Sequence, residues 1–328
     1  MMASDAAPVR ICFLGCGHIT DVHALHLKRL GGEVRLSYAS RDWSRAQDYC
    51  RRHGGVHAYG DYDSAIADPR QDAVVVAVPP LLHLDLTLRS VHAGRHVLVE
   101  KPAFLRSEDY AAVIAAGEEA GRVVMVAEND HYKPLASTLR GLLAEGVIGE
   151  MVFAQFTTVA RRLKRADDWR NDETLAGGDA FFEEGIHWLH LAGSLGPKIT
   201  RASGFRPAAS ADARQGDRRV KSMLVAFEYD NGATGALFYS REVPSLLRGA
   251  RVSKLFGRQG VITFESNGAA VFARGRGLPR VIVPGLSDVR GYQAMYRDFV
   301  RAIRSGTSPQ MDLHTAMADH RLMEEVYE

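Results

Sequence analysis

The chain has 328 residues, 46% hydrophobic and 24% charged, with a formal net charge of +2. That is ordinary globular composition, long enough for two cores, and with no long basic run it implies no nucleic-acid partner. No apolar run reaches membrane-spanning length and residues 1–8 carry no apolar signal core, so the sequence reads as a soluble cytoplasmic protein.

The three cysteines, Cys12, Cys16 and Cys50, have no CxxC spacing. They fit reduced thiols better than disulfides or a metal site. Val9 to Leu14 reads as a strand that stops at Gly15-Cys16-Gly17, and His18 to Leu30 follows with apolar residues at helical spacing. Strand, Gly-x-Gly and helix form the first unit of a dinucleotide fold. The glycines admit a pyrophosphate and the helix start, His18 and Ile19, offers N–H groups to it. Thr20 stands at the third small position of G-x-G-x-x-G.

Val34 to Ser40 is the second strand. It ends in Ser40-Arg41-Asp42, where an acidic residue would favour NAD. A hydroxyl followed by a guanidinium suits a 2′-phosphate, so NADP is favoured over NAD. Asp42 either reaches a ribose or caps the helix Trp43 to His53. A short strand near Val56 to Ala58 and a helix from Asp61 follow. Asp72 to Val78 is a continuous apolar strand closed by Pro79-Pro80, as in the centre of a parallel sheet. Leu81 to Ala93 is helical, with His83 in its first turn, either exposed or near a nicotinamide.

The fifth strand is the apolar run Val97 to Val99, which ends in Glu100-Lys101-Pro102. Two charges and a proline are poor packing for a strand tip, and strand tips of open α/β sheets are where ligands bind. Ser107 caps the next helix and Arg122 to Ala127 is a sixth strand. The alternation of strands and helices gives a doubly wound parallel sheet.

From Glu128 the pattern changes. After a helix from Leu135 to Glu145, strands are expected at Met151–Ala160, Ile199–Phe205, Ser222–Tyr229, Ala233–Ser240, Arg251–Phe256, Val261–Glu265, Ala269–Ala273 and Arg280–Val283. This is a mostly antiparallel, open sheet in a second α/β domain, with one face to be covered by helices or another subunit. Pro207 to Arg219 is expected to be a mobile loop. Helices Gly291 to Ser305 and Asp312 to Tyr327 close the chain, and these are able to pack back on the first domain. The domains are expected at 1–128 and 129–328.

One helix of the second half, Gly177 to His190, carries Glu183 and His187 four residues apart. That spacing sets a carboxylate beside an imidazole, which orients the ring as a base. His187 and His190, with no further ligand set, do not make a metal site.

Gly15-Cys16-Gly17, Pro79-Pro80-Leu81-Leu82-His83, Gly94 to Pro102 and the Gly177 to His187 helix occur together in this order. With them the chain resembles the Gfo/Idh/MocA family of NAD(P)-dependent oxidoreductases over nearly its whole length. The resemblance implies a Rossmann domain and a second domain whose open sheet often makes the oligomer contact, here a homodimer or homotetramer. It implies that Lys101 and His187 are the catalytic pair, with Glu183 where Asp is usual, and that Pro102 follows a cis bond. Asn129 matches a frequent Asn, whereas His131 stands where Arg is common and His190 where Asp is frequent.

The expected reaction is hydride transfer between a CH–OH group of a sugar, polyol or related cyclic alcohol and a nicotinamide cofactor. Gly15, Cys16, Gly17, His18, Ile19, Ser40, Arg41, Val78, Pro79, Pro80, His83, Glu100, Lys101 and Asn129 are the expected cofactor contacts. His187 is the base, oriented by Glu183, and Lys101, held by Glu100, donates to the reacting oxygen. Lys101, Glu183 and His187 also line the expected substrate pocket, with His131, Tyr132, Lys133, Asp168, Trp169 and Arg170. Two other readings fit the resemblance: a glycosidase or lyase that uses transient oxidation by NAD, and a non-catalytic dinucleotide- and sugar-sensing protein.

Overall fold

A computed structural model describes residues 7–161, 173–207, 220–245 and 251–328. The chain forms two compact units, Met1–Glu128 with Tyr292–Met317, and Asn129–Gly291 with Ala318–Glu328. Among the described residues no helix is long and apolar enough to cross a membrane.

In the first unit, β1 (Val9–Leu14), β2 (Val34–Ala39), β3 (His57–Tyr59), β4 (Ala73–Val76), β5 (His96–Val99) and β6 (Val124–Val126) form one parallel sheet. Its order is β3-β2-β1-β4-β5-β6. The chain reverses direction across the sheet between β1 and β4, the position at which doubly wound folds bind dinucleotides. All four residues of β4 are fully buried, because helices cover both faces of a parallel sheet. The crossovers carry α1 (His18–Leu27), α2 (Trp43–His53), α3 (Tyr62–Ala67), α4 (His83–His92) and α5 (Ser107–Ala120).

Local chemistry sets the helix ends. Asp42 precedes α2 and its Oδ1 accepts the N–H groups of Ser44 at 3.0 Å and Arg45 at 3.3 Å. Such a cap contributes about 1 kcal/mol. Gly54, with φ 71°, closes the same helix in the left-handed region. α1 stops at Leu27, three residues earlier than its apolar spacing suggests, because the chain tightens into a 3-10 turn over Lys28–Glu33. Ser107 is not a cap: it is the first helical residue of α5, and Arg106 occupies the cap position without a side-chain bond.

The second unit holds α6 (Pro134–Ala144), α7 (Glu173–Ala176) and α8 (Ala180–Gly193) beside an eight-stranded sheet. Its strands are β7 (Met151–Val159), β8 (Ile199–Phe205), β9 (Ser222–Tyr229), β10 (Thr234–Ser240), β11 (Val252–Gly257), β12 (Gly260–Glu265), β13 (Val271–Arg274) and β14 (Arg280–Ile282). The order is β14-β13-β12-β11-β7-β10-β9-β8, antiparallel throughout except for the parallel β7–β10 pair. Alternation along β9 sends Met223, Val225, Phe227 and Tyr229 inward, into a core with Phe156, Phe181, Leu255 and Phe264. Phe153, Phe238, Phe272 and Val281 are exposed on the sheet. The last two helices are α9 (Tyr292–Ser305), which packs on α1, and α10 (Leu313–Tyr327).

Phe264→Ala empties a fully buried site and is expected to cost about 3–5 kcal/mol, whereas Leu278→Ala, at a site 86% exposed, should stay within about 0.5 kcal/mol. Urea denaturation of the two variants measures both.

Candidate active site

The loop after β1 fits the pyrophosphate of a dinucleotide. Gly15 has φ 112°, and a Cβ there would lie 2.4 Å from the Ala77 carbonyl, so only glycine serves. Gly17 is the opposite case: nothing lies within 4 Å of where its Cβ would stand. It sits at the cap of α1 and supplies no side-chain bond, so the first-turn N–H groups, from His18 and Ile19 onward, face outward for an anion. Thr20, at the third small position, is buried and its hydroxyl donates to the Gly15 carbonyl at 2.8 Å. It therefore braces the loop from beneath. Cys16 is buried between these glycines, and burial pushes its thiol up to about 12, so it is no nucleophile.

At the end of β2, Ser40 is buried and its Oγ accepts the Asp42 N–H at 3.1 Å. Of the two roles open to Asp42, helix capping is the one its carboxylate performs. Oδ1 also accepts the Ser44 hydroxyl at 2.7 Å, and this bond holds the carboxyl below its usual range. Arg41 is exposed beside it.

The end of β5 is built around Glu100. Its carboxylate is buried, with Oε1 2.7 Å from His23 Nε2 and Oε2 accepting the backbone N–H of Lys101 at 3.1 Å. Burial pushes the carboxyl up, but His23, Lys101 and His83 more than offset this, and Glu100 ends below the ordinary carboxylate range. Glu100 thus grips Lys101 by its main chain. His23 is fully buried on α1, and its Nδ1 lies 2.5 Å from the hydroxyl of Tyr296 on α9. Sequence reasoning missed both His23 and Tyr296, which stand 273 residues apart.

The Lys101–Pro102 bond is cis. His83 is not exposed, contrary to one of the two readings of the sequence: it is 1% exposed, and its ring is clasped by backbone. Nε2 lies 2.8 Å from the Val78 carbonyl, and Nδ1 lies 3.1 Å from those of Pro102 and Ala103. It ties Val78, next to Pro79 and Pro80 after β4, to the turn after β5, and burial holds its pKa down.

In the second unit a 3-10 turn over Asn129–Tyr132 packs on α8. α8 starts at Asp179, whose Oδ1 accepts from the N–H groups of Phe181 and Phe182. Glu183 and His187 are half-buried along it, one turn apart. Asp130, another residue sequence reasoning missed, brings a carboxylate oxygen within 4.8 Å of a His187 ring nitrogen. Lys133 pairs with Asp130 at 2.6 Å, and the Asn129 amide donates to Asp130 at 3.1 Å and to the Arg290 carbonyl at 2.8 Å. His131 Nδ1 lies 2.9 Å from Nε2 of buried His190, whose Nδ1 lies 2.8 Å from Asp319 on α10. No periodicity marks Asp319, so the sequence held no signal for this chain of three groups. Asp168, Trp169 and Arg170 lie outside the described residues.

Residues 9–128 match the model of an oxidoreductase family with an NAD-binding Rossmann fold, and residues 136–263 match the GFO/IDH/MocA C-terminal domain. A D-xylose 1-dehydrogenase (NADP(+)) of Haloferax volcanii is 29% identical over 88% of this chain and 87% of its own length. A 1,5-anhydro-D-fructose reductase of Ensifer adhaerens is 31% identical over 62% of this chain and 63% of its own. The fold is that of an aldose-aldose oxidoreductase of Caulobacter crescentus, solved with glycerol, at TM-score 0.85 and 23% identity over 98% of this chain and 96% of that one. The chain belongs to the Gfo/Idh/MocA family of NAD(P)-binding oxidoreductases.

Proposed function

We propose that the protein transfers a hydride between the CH–OH group of a sugar, polyol or related cyclic alcohol and NADP, with Lys101 and His187 as its catalytic pair. The observation that carries this is the buried carboxylate of Glu100, which holds the main chain of Lys101 at the strand end of a dinucleotide sheet. A lysine fixed there by its main chain can donate from its ammonium to the reacting oxygen, which it stabilises as charge develops. The dinucleotide, when bound, accepts or supplies the hydride. His187 takes the hydroxyl proton, and the nearby carboxylate of Asp130, restrained by Lys133, favours the imidazolium that forms. Glu183, one turn earlier on α8, helps to set the ring. The relatives named for D-xylose and 1,5-anhydro-D-fructose support a sugar as the substrate class.

The preference for NADP rests on Ser40 and Arg41. With Asp42 engaged in capping α2, the exposed Arg41 is the group poised for a 2′-phosphate. The exposed phenylalanines of the second sheet, Phe153, Phe238 and Phe272, suit a homodimer or homotetramer contact.

Lys101→Ala should leave dinucleotide affinity within about twofold and lower kcat by about 10²–10⁴. Calorimetric titration and steady-state kinetics on a responsive sugar separate the two effects, and preserved turnover would remove Lys101 from the mechanism. Arg41→Ala should weaken NADPH binding by about tenfold and leave NADH unchanged, as read by thermal shift with each cofactor. Glu100 titrates lower in the folded than in the unfolded chain. Its stabilisation is therefore complete above the unfolded-state pKa and is lost as pH falls through the folded one. Glu100→Gln should flatten that acid limb in a series of melting curves against pH.

A further inference from the structure

At the edge of the first unit's sheet where the strands begin, opposite the Gly15 loop, lies a groove of about 870 Å3 that the reaction above does not use. Five arginines line it: Arg10, Arg35, Arg95, Arg122 and Arg304. They come from β1, β2, the turns before β5 and β6, and the last turn of α9. The parallel register sets Arg10 directly beside Arg35, a like-charge pairing that costs stability in a sheet.

Only part of this charge is answered within the protein. Arg10 grips Asp72 through Nε at 2.9 Å and Nη2 at 2.5 Å. Arg304 lies 3.6 Å from Glu33. Arg95 donates to the carbonyls of Ile66 at 3.0 Å and Gln71 at 2.7 Å, which leaves its charge uncompensated. Among the described residues the guanidinium groups of Arg35 and Arg122 make no hydrogen bond or ion pair. Among the described residues these five guanidinium groups form ion pairs with two carboxylates only, Asp72 and Glu33. His96 in the wall accepts the Val123 N–H on Nδ1 at 3.0 Å, so its ring proton sits on Nε2. Burial and the charge of Arg122 push its pKa down to about 4, and it remains a neutral donor at neutral pH.

We propose that this groove binds a phosphorylated small molecule, whose phosphoryl oxygens are taken by Arg35 and Arg122 in the field of Arg95 and Arg10. Guanidinium forks match phosphate oxygens in pairs, and two of these forks have no partner to give up among the described residues. The volume leaves room for an organic group beyond the phosphate. The proposal is independent of the catalytic reading.

The test uses protein saturated with its preferred nicotinamide dinucleotide, so that the Gly15 loop takes no added phosphate. Titration calorimetry with inorganic phosphate, phenyl phosphate and phenol, none of which is a sugar or polyol, should show binding of the two phosphates and none of phenol. Tighter binding of phenyl phosphate means that the groove also seats the organic group, and equal binding means that free phosphate suffices. The double variant Arg35→Gln/Arg122→Gln removes only groups without partners, so it should fold normally and keep its dinucleotide affinity. Its phosphate affinity should fall by at least about tenfold. Absence of phosphate binding by the saturated protein, or equal binding by the double variant, would overturn the proposal.

Discussion

A buried carboxylate at the end of β5 organises the first unit. An ionised group out of water is costly unless its charge and lone pairs are answered. Glu100 is answered on both oxygens, by the His23 ring and by the Lys101 N–H. Tyr296 then supports His23 from the far side. One charge thereby couples α1, β5 and α9, and the element it fixes most closely is the main chain of Lys101. His83 adds a second restraint, because its ring fastens the turn after β5 to Val78, just past the end of β4.

The two edges of the parallel sheet have different chemistry. At the edge where strands end, positioning comes from backbone and from groups already paired: Gly15 against Ala77, Thr20 beneath Gly15, Asp42 on α2. These leave open N–H groups and the exposed guanidinium of Arg41. At the edge where strands begin, arginines gather in excess of their carboxylates. Strand direction alone separates the two, since each βα unit delivers its loops to opposite ends of the sheet.

Much of this was legible in the sequence, and the limits have physical causes. Val9–Leu14, Trp43–His53, Ile199–Phe205 and Ser222–Tyr229 end where apolar periodicity meets glycine, aspartate or arginine, so their bounds were read to the residue. Ser107 misled by one position, because a serine before a helix and a serine opening it look alike in sequence. The mostly antiparallel second sheet followed from alternation, but the parallel β7–β10 pair did not, because alternation is the same in either direction. The site divides in the same way. Gly15, Gly17, Lys101, Glu183 and His187 announce themselves by local pattern. His23 with Tyr296, and His190 with Asp319, meet only through tertiary folding and leave no local trace. Arg10 and Arg35 become neighbours only once the β1–β2 register is known.

The central claim is net hydride transfer from a sugar or polyol alcohol. The most direct measurement is the absorbance of reduced nicotinamide during turnover on a panel of neutral sugars and polyols, with product counted in parallel. The account predicts one reduced cofactor accumulating for each alcohol oxidised. Product formed without any accumulation of reduced cofactor would contradict it.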